Sequence, residues 1–93
     1  MIQVGDEIKW NAPIGSYITY KVLVIDPNRP PNTSHPTFSF DEQVLLQWND
    51  DGRLRTIWAY NYQALNHLYL IGKVKIVKRF GLPYTELKKF SFV

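Results

Sequence analysis

The run VLLQWNDDGRLRTIWAY, from Val44 to Tyr60, constrains the fold more than any other part of this chain. Val44, Leu46 and Trp48 alternate with Leu45, Gln47 and Asn49, the period of a strand whose successive side chains point to opposite faces. Asn49-Asp50-Asp51-Gly52 then supplies turn chemistry, and Leu54, Thr56 and Trp58 resume the alternation opposite Arg53 and Arg55. The expectation is a β-hairpin with Trp48 and Trp58 packed on the faces of Leu46 and Leu54, and with Arg53 and Arg55 turned to solvent.

Other strands flank this hairpin. Gly5-Asp6 marks a turn before a short strand through Glu7, Ile8, Lys9 and Trp10. From Tyr17 to Ile25, one face carries Ile18, Tyr20, Val22 and Val24, and the other is also partly apolar, which suits a long bent strand shared across a small barrel. Residues 26 to 37 hold Pro27, Pro30, Pro31 and Pro36, so neither helix nor ladder continues there and a long exposed loop is expected. Thr37-Phe38-Ser39-Phe40 reads as a short extended piece with Phe38 and Phe40 on one face.

Tyr60 to Leu68 holds helix-compatible residues but little length, and Leu65 and Leu68 lie three apart, so one helical turn is expected. Tyr69 to Val77 reads as a further strand, with Leu70, Val74 and Ile76 inward, Lys73 and Lys75 outward, and a bend at Gly72. Residues 78 to 93 form a C-terminal extension, whose Phe90-Ser91-Phe92-Val93 could close the barrel or pair with a second copy.

Gly5-Asp6, Trp48, Asp51-Gly52 and the Leu65/Leu68 turn before Tyr69 resemble the pattern of SH3-like small β-barrels of the Tudor-like and KOW-like groups, over roughly residues 4 to 77. The resemblance implies a mainly all-β, single-domain barrel of about five strands, with a one-turn helix before the last barrel strand. It does not imply one function, because such folds host many. Tudor-like members bind methylated cations in aromatic cages, for which Trp10, Tyr17, Trp58, Tyr60 and Tyr62 are the candidate walls.

At 93 residues the core is small, and a domain of this size buries roughly 60–70% of the surface its unfolded chain exposes. Three Trp, six Tyr and five Phe supply the large side chains that compensate. With no cysteine, a disulfide scaffold, a thiolate zinc site and a cysteine nucleophile are excluded. The first residues lack the pattern of a signal peptide and no apolar run reaches the ~18 residues of a membrane span, so a cytoplasmic protein without a membrane partner is expected.

Candidate chemistry is sparse. His35 and His67 have no second histidine or carboxylate at metal-ligand spacing, and Asp50 and Asp51 beside Gly52 suit a turn better than an acid/base pair. No serine sits in a nucleophile elbow. A non-enzymatic protein with no cofactor and no metal is expected.

Charge is more telling. Residues 1 to 51 hold three bases against seven acids, or −4, and residues 52 to 93 hold eight bases against Glu86, or +7, which sum to the formal +3. Arg53, Arg55, Lys73 and Lys75, extended by Lys78 and Arg79 and by Lys88 and Lys89, could track a phosphate backbone while Tyr60 or Tyr62 stacks on bases. The partner is then nucleic acid or a nucleoprotein surface. The competing reading is a protein-binding accessory factor or inhibitor, of a kind that phages also encode, docking on an acidic protein surface or another assembly through Arg29, His35, Phe38 and Phe40. A monomer or weak homodimer fits either reading.

Overall fold

Asp51 and Gly52 both take positive φ, 51° and 85°. That is the geometry of a two-residue type I′ loop, whose twist matches the strands it joins. The computed structural model describes residues 1–11, 18–35 and 38–84, of which 34–35 and 38–40 by backbone alone. Its strands are β1 (Glu7–Trp10), β2 (Tyr20–Ile25), β3 (Asn32–His35), β4 (Phe38–Phe40), β5 (Val44–Asp50), β6 (Arg53–Ala59), β7 (Val74–Arg79) and β8 (Leu82–Pro83); one helix, α1 (Tyr62–Leu70), lies between β6 and β7. An antiparallel six-stranded sheet runs β6-β5-β2-β1-β7-β8, and β3 and β4 form a separate two-stranded sheet. This is the small barrel-like, mainly β architecture expected. Tyr17, Lys88, Lys89 and Phe90–Val93 lie outside the described residues.

The turn decides the hairpin's register, and the register corrects the expected faces. Asp50 lies opposite Arg53, Trp48 opposite Arg55, Leu46 opposite Ile57 and Leu45 opposite Trp58. A two-residue loop pairs each even-numbered residue with an odd-numbered one. Since directly opposed residues share a face, Arg53, Arg55, Ile57 and Ala59 belong with Leu46 and Trp48, whereas Leu54, Thr56 and Trp58 belong with Leu45, Gln47 and Asn49. Leu54 is accordingly 70% exposed instead of packed.

The core lies on the inner face of the sheet, where Ile8, Val22, Val44, Leu46, Val74 and Ile76 meet Leu65 from α1 and Ile2 from the N-terminal segment. Bulges between Glu7 and Ile8 and between Val22 and Val24 bend β1 and β2, which lets the sheet curl around this cluster. Among the described residues, no helix is long and apolar enough to cross a membrane.

Helix α1 is longer than the single turn expected. The Asn61 side chain accepts from the Ala64 N–H at its start. At its end the Gly72 N–H donates to the Tyr69 carbonyl and the Lys73 N–H to the Leu68 carbonyl, the paired bonds of a Schellman cap, with Gly72 at φ 80°. The cap also displaces the expected strand from Tyr69: β7 starts at Val74, and Leu70 ends the helix exposed to solvent instead of facing inward.

The N-terminal segment is sewn to α1 and β7 by polar bonds. Ile2 donates its N–H to Asn66 Oδ1 and accepts from the Tyr62 hydroxyl, at 2.8 and 2.6 Å. The buried Asp6 carboxylate receives Arg79 through Nε and Nη2, both at 2.9 Å, together with the Gln3 N–H. Its hydrogen bond holds the Arg79 guanidinium above its ordinary pKa.

Candidate functional site

Four rings continue the inner face beyond the aliphatic core. Trp10 at the end of β1 meets Tyr20 at the start of β2 edge to face, centroids 5.6 Å apart, and Tyr20 meets Trp48 of β5 at 5.5 Å. Tyr60 completes the row against Trp10 at 5.4 Å, with the two planes 33° apart. Strict alternation after Ala59 would send Tyr60 to the opposite face. Its φ of 50° breaks that alternation at the corner between β6 and α1.

Gln43 clamps this corner. Its N–H donates to the Tyr60 carbonyl, its Oε1 accepts from the Tyr62 N–H, and its Nε2 donates to the Pro27 carbonyl. Tyr60 is thus held by backbone as well as by ring contact. Between the rings lies an open groove of about 360 Å³ lined by Trp10, Tyr20, Leu46, Ile57, Ala59 and Tyr60. Trp10, Tyr20 and Ala59 are half-buried there and Ile57 and Tyr60 are exposed, so the groove opens to solvent.

Arg55 lies directly across from Trp48 on this same face and pairs with Asp50, itself opposite Arg53. Both members of the Arg55–Asp50 pair are about half exposed. Such an exposed pair contributes little to stability in water. The β6 arginines therefore border the aromatic row instead of lying on the far side of the strand.

The remaining expected site residues scatter. Lys75 projects from the outer face of β7 opposite Lys9 of β1, beside the exposed Lys73, and β7 is separated from β6 by three strands. The expected union of Arg53 and Arg55 with Lys73 and Lys75 on one surface is not formed, because β6 and β7 are not neighbours. Lys78 is exposed on the outer face opposite Glu7. Arg79 is no free cation: its side chain is 15% exposed and bound to Asp6 and to the Met1 carbonyl.

Tyr62 starts α1 with its hydroxyl given to Ile2, so it serves packing instead of stacking. Trp58 faces the outer side with the Arg29 guanidinium 4.2 Å from its ring centroid, while Arg29 also binds the Glu42 carbonyl and carboxylate. Arg29 thus anchors the proline-rich loop to the sheet. His35, Phe38 and Phe40 lie on the β3–β4 hairpin, in which His35 pairs with Phe38 and Asn32 with Phe40. Among the described residues no group of histidines and carboxylates could hold a metal ion.

Sequence reasoning missed Tyr20 and Trp48 as members of one row. Their signal was the alternation itself: Tyr20 shares parity with Val22, and Trp48 with Leu46. Each therefore sits one step beyond a core residue, where the inner face begins to open. The chain has no significant match among protein-family models, curated proteins or solved structures.

Proposed function

We propose that this protein is a non-enzymatic binding module that takes single-stranded nucleic acid across its inner face. The observation carrying this reading is the row Trp48–Tyr20–Trp10–Tyr60, open to a groove and bordered by Arg53 and Arg55. Rings can stack on any base, and the arginines can receive the phosphates between stacked bases. Nothing in the row enforces base-edge readout, so binding is weakly selective in sequence and strongly dependent on salt. A duplex, whose bases are already stacked, leaves the groove unused.

The test is binding of fluorescent single- and double-stranded DNA and RNA across a salt series. Single strands are expected to bind more tightly than duplexes. Tyr60→Ala should weaken binding about tenfold, within the ~1–3 kcal/mol of one base–ring stack. Arg53→Glu/Arg55→Glu should abolish it, and the pair contributes about 1.4 to the salt slope if each meets one phosphate. Lys73→Glu/Lys75→Glu, on the opposite face, is expected to weaken it less. Circular dichroism checks that each variant is folded; absence of binding by the wild type at low salt would overturn the reading.

The protein-docking alternative draws on a different observation. β3 and β4 form a two-stranded sheet of their own, apart from the main sheet, and Phe38 and Phe40 lie on its second strand. Arg29 is not available to that role because Glu42 and Trp58 hold it.

A further inference from the structure

β6 is an edge strand with no neighbour on its outer side among the described residues. It spans seven residues without proline, glycine or lysine, and it pairs with β5 without a register shift. Soluble proteins usually shorten, bulge or guard such an edge, because its unpaired backbone groups are a template for another strand. The two arginines on it are balanced in part by Asp50, which lies opposite Arg53 and pairs with Arg55.

The hairpin geometry identifies the free groups. Residues flanking a two-residue loop exchange both backbone hydrogen bonds, so Arg53, Arg55, Ile57 and Ala59 use theirs on β5. Leu54, Thr56 and Trp58 direct theirs outward. Beside the far half of this edge runs a groove of about 490 Å³, lined by Asp41, Glu42 and the chain from Ile57 to Asn61. Asp41 is exposed and makes no ion pair among the described residues.

We propose that a second copy of this chain occupies the edge, antiparallel to the first, about a two-fold axis through Thr56. In that register Thr56 meets Thr56, and Leu54 of each copy meets Trp58 of the other, so the outward backbone groups face one another in hydrogen-bonding positions. Arg55 falls opposite Ile57 and Arg53 opposite Ala59, so no like charges are directly opposed, and the two Arg55 residues, diagonal across the axis, each stay paired with their own Asp50. Moving the axis to Arg55 would set that arginine against itself, which is destabilising. Moving it to Ile57 shortens the ladder.

Charge selects a copy over an unrelated strand. Arg53 of one chain arrives beside Ala59 of the other, at the groove that carries Asp41 and Glu42. Arg55 arrives beside Ile57, a wall of the aromatic groove, so the inner faces of the two copies merge into one surface.

Sedimentation equilibrium from micromolar to millimolar concentration tests this directly. A reversible dimer is expected. Thr56→Pro removes an outward N–H without touching the β5 ladder and should weaken association at least tenfold with an unchanged circular-dichroism spectrum. A second pair of variants is independent of proline: Asp41→Arg should weaken the dimer, and Asp41→Arg/Arg53→Glu should restore it. A wild type that stays monomeric throughout would overturn the proposal, leaving the edge to a strand from another protein. A dimer indifferent to Thr56→Pro and to both charge variants would equally overturn it.

Discussion

Replacing Asp6 with asparagine is expected to lower the unfolding free energy by about 3–5 kcal/mol, the range for breaking one side of a buried ion pair. The side chain of Asp6 is 1% exposed, and that of Arg79 is largely covered as well. Asparagine preserves the shape and can still accept from the Gln3 N–H. It removes the negative charge, leaving the guanidinium desolvated without compensation. The same change unties β7 from the Gly5-Asp6 turn, which otherwise also holds β2 through the Gly5 N–H to Val22 carbonyl and the Val22 N–H to Asp6 carbonyl bonds, at 2.7 and 2.8 Å. In a small domain with a total stability of about 5–15 kcal/mol, this is a large share.

Urea denaturation provides the measurement, read as a lower midpoint at constant slope. Arg79→Met should be similarly harmful because it strands the carboxylate. The double variant Asp6→Asn/Arg79→Met is expected to lose much less than the sum of the two, since neither charge is then buried alone. Additive losses would mean that the two side chains act independently.

Leu65→Ala is expected to cost about 2–5 kcal/mol, whereas Leu54→Ala should stay within about 0.5 kcal/mol. The two residues are the same amino acid in differing surroundings. Leu65 is fully buried and is the residue by which α1 enters the core, against β-sheet side chains such as Val74 and Ile76. Removing it leaves a cavity that a short helix held at both ends cannot collapse to fill. Leu54 projects from the outer face of an edge strand. Thermal or urea unfolding of the two variants reads the difference, and comparable losses would contradict the register of the hairpin.

That register shows why some features were legible in the chain and others were not. Asp51-Gly52 announced a turn, but the face assignment depended on whether the loop held an even or an odd number of residues, two as against three. A difference of one in pairing sends every β6 side chain to the opposite side. Asn61 and Gly72 carry ordinary start and stop chemistry, but Gly72 equally suits a bend within a strand and a nine-residue segment is too short to be stable by itself, so the sequence predicts a single turn followed by a strand from Tyr69. The stability of α1 comes from Leu65 and from the bonds between Tyr62, Asn66 and the backbone of Ile2. Those two bonds span 60 and 64 positions in sequence.

The basic residues illustrate the same division. Arg53 and Arg55 were recognisable as a pair because alternation places them on one face, and Tyr60 was recognisable as an accessible ring. Lys73 and Lys75 were also a pair, but strand order determines whether two pairs meet, and strand order is not a local property. Arg79 resembled its neighbours until Asp6, 73 residues earlier, claimed it.

The amino-acid sequence by itself determined the mainly β character, the central hairpin, the turn at Asp51-Gly52, the charge asymmetry and the lack of thiol chemistry, because these depend on local backbone preference and composition. Tertiary structure alone decided that Trp10, Tyr20, Trp48 and Tyr60 form one row, that Arg55 borders it, and that β6 is left at an edge. Each of these requires strands distant in sequence to be placed side by side, and that placement is selected by burial of a shared core, not by any single segment.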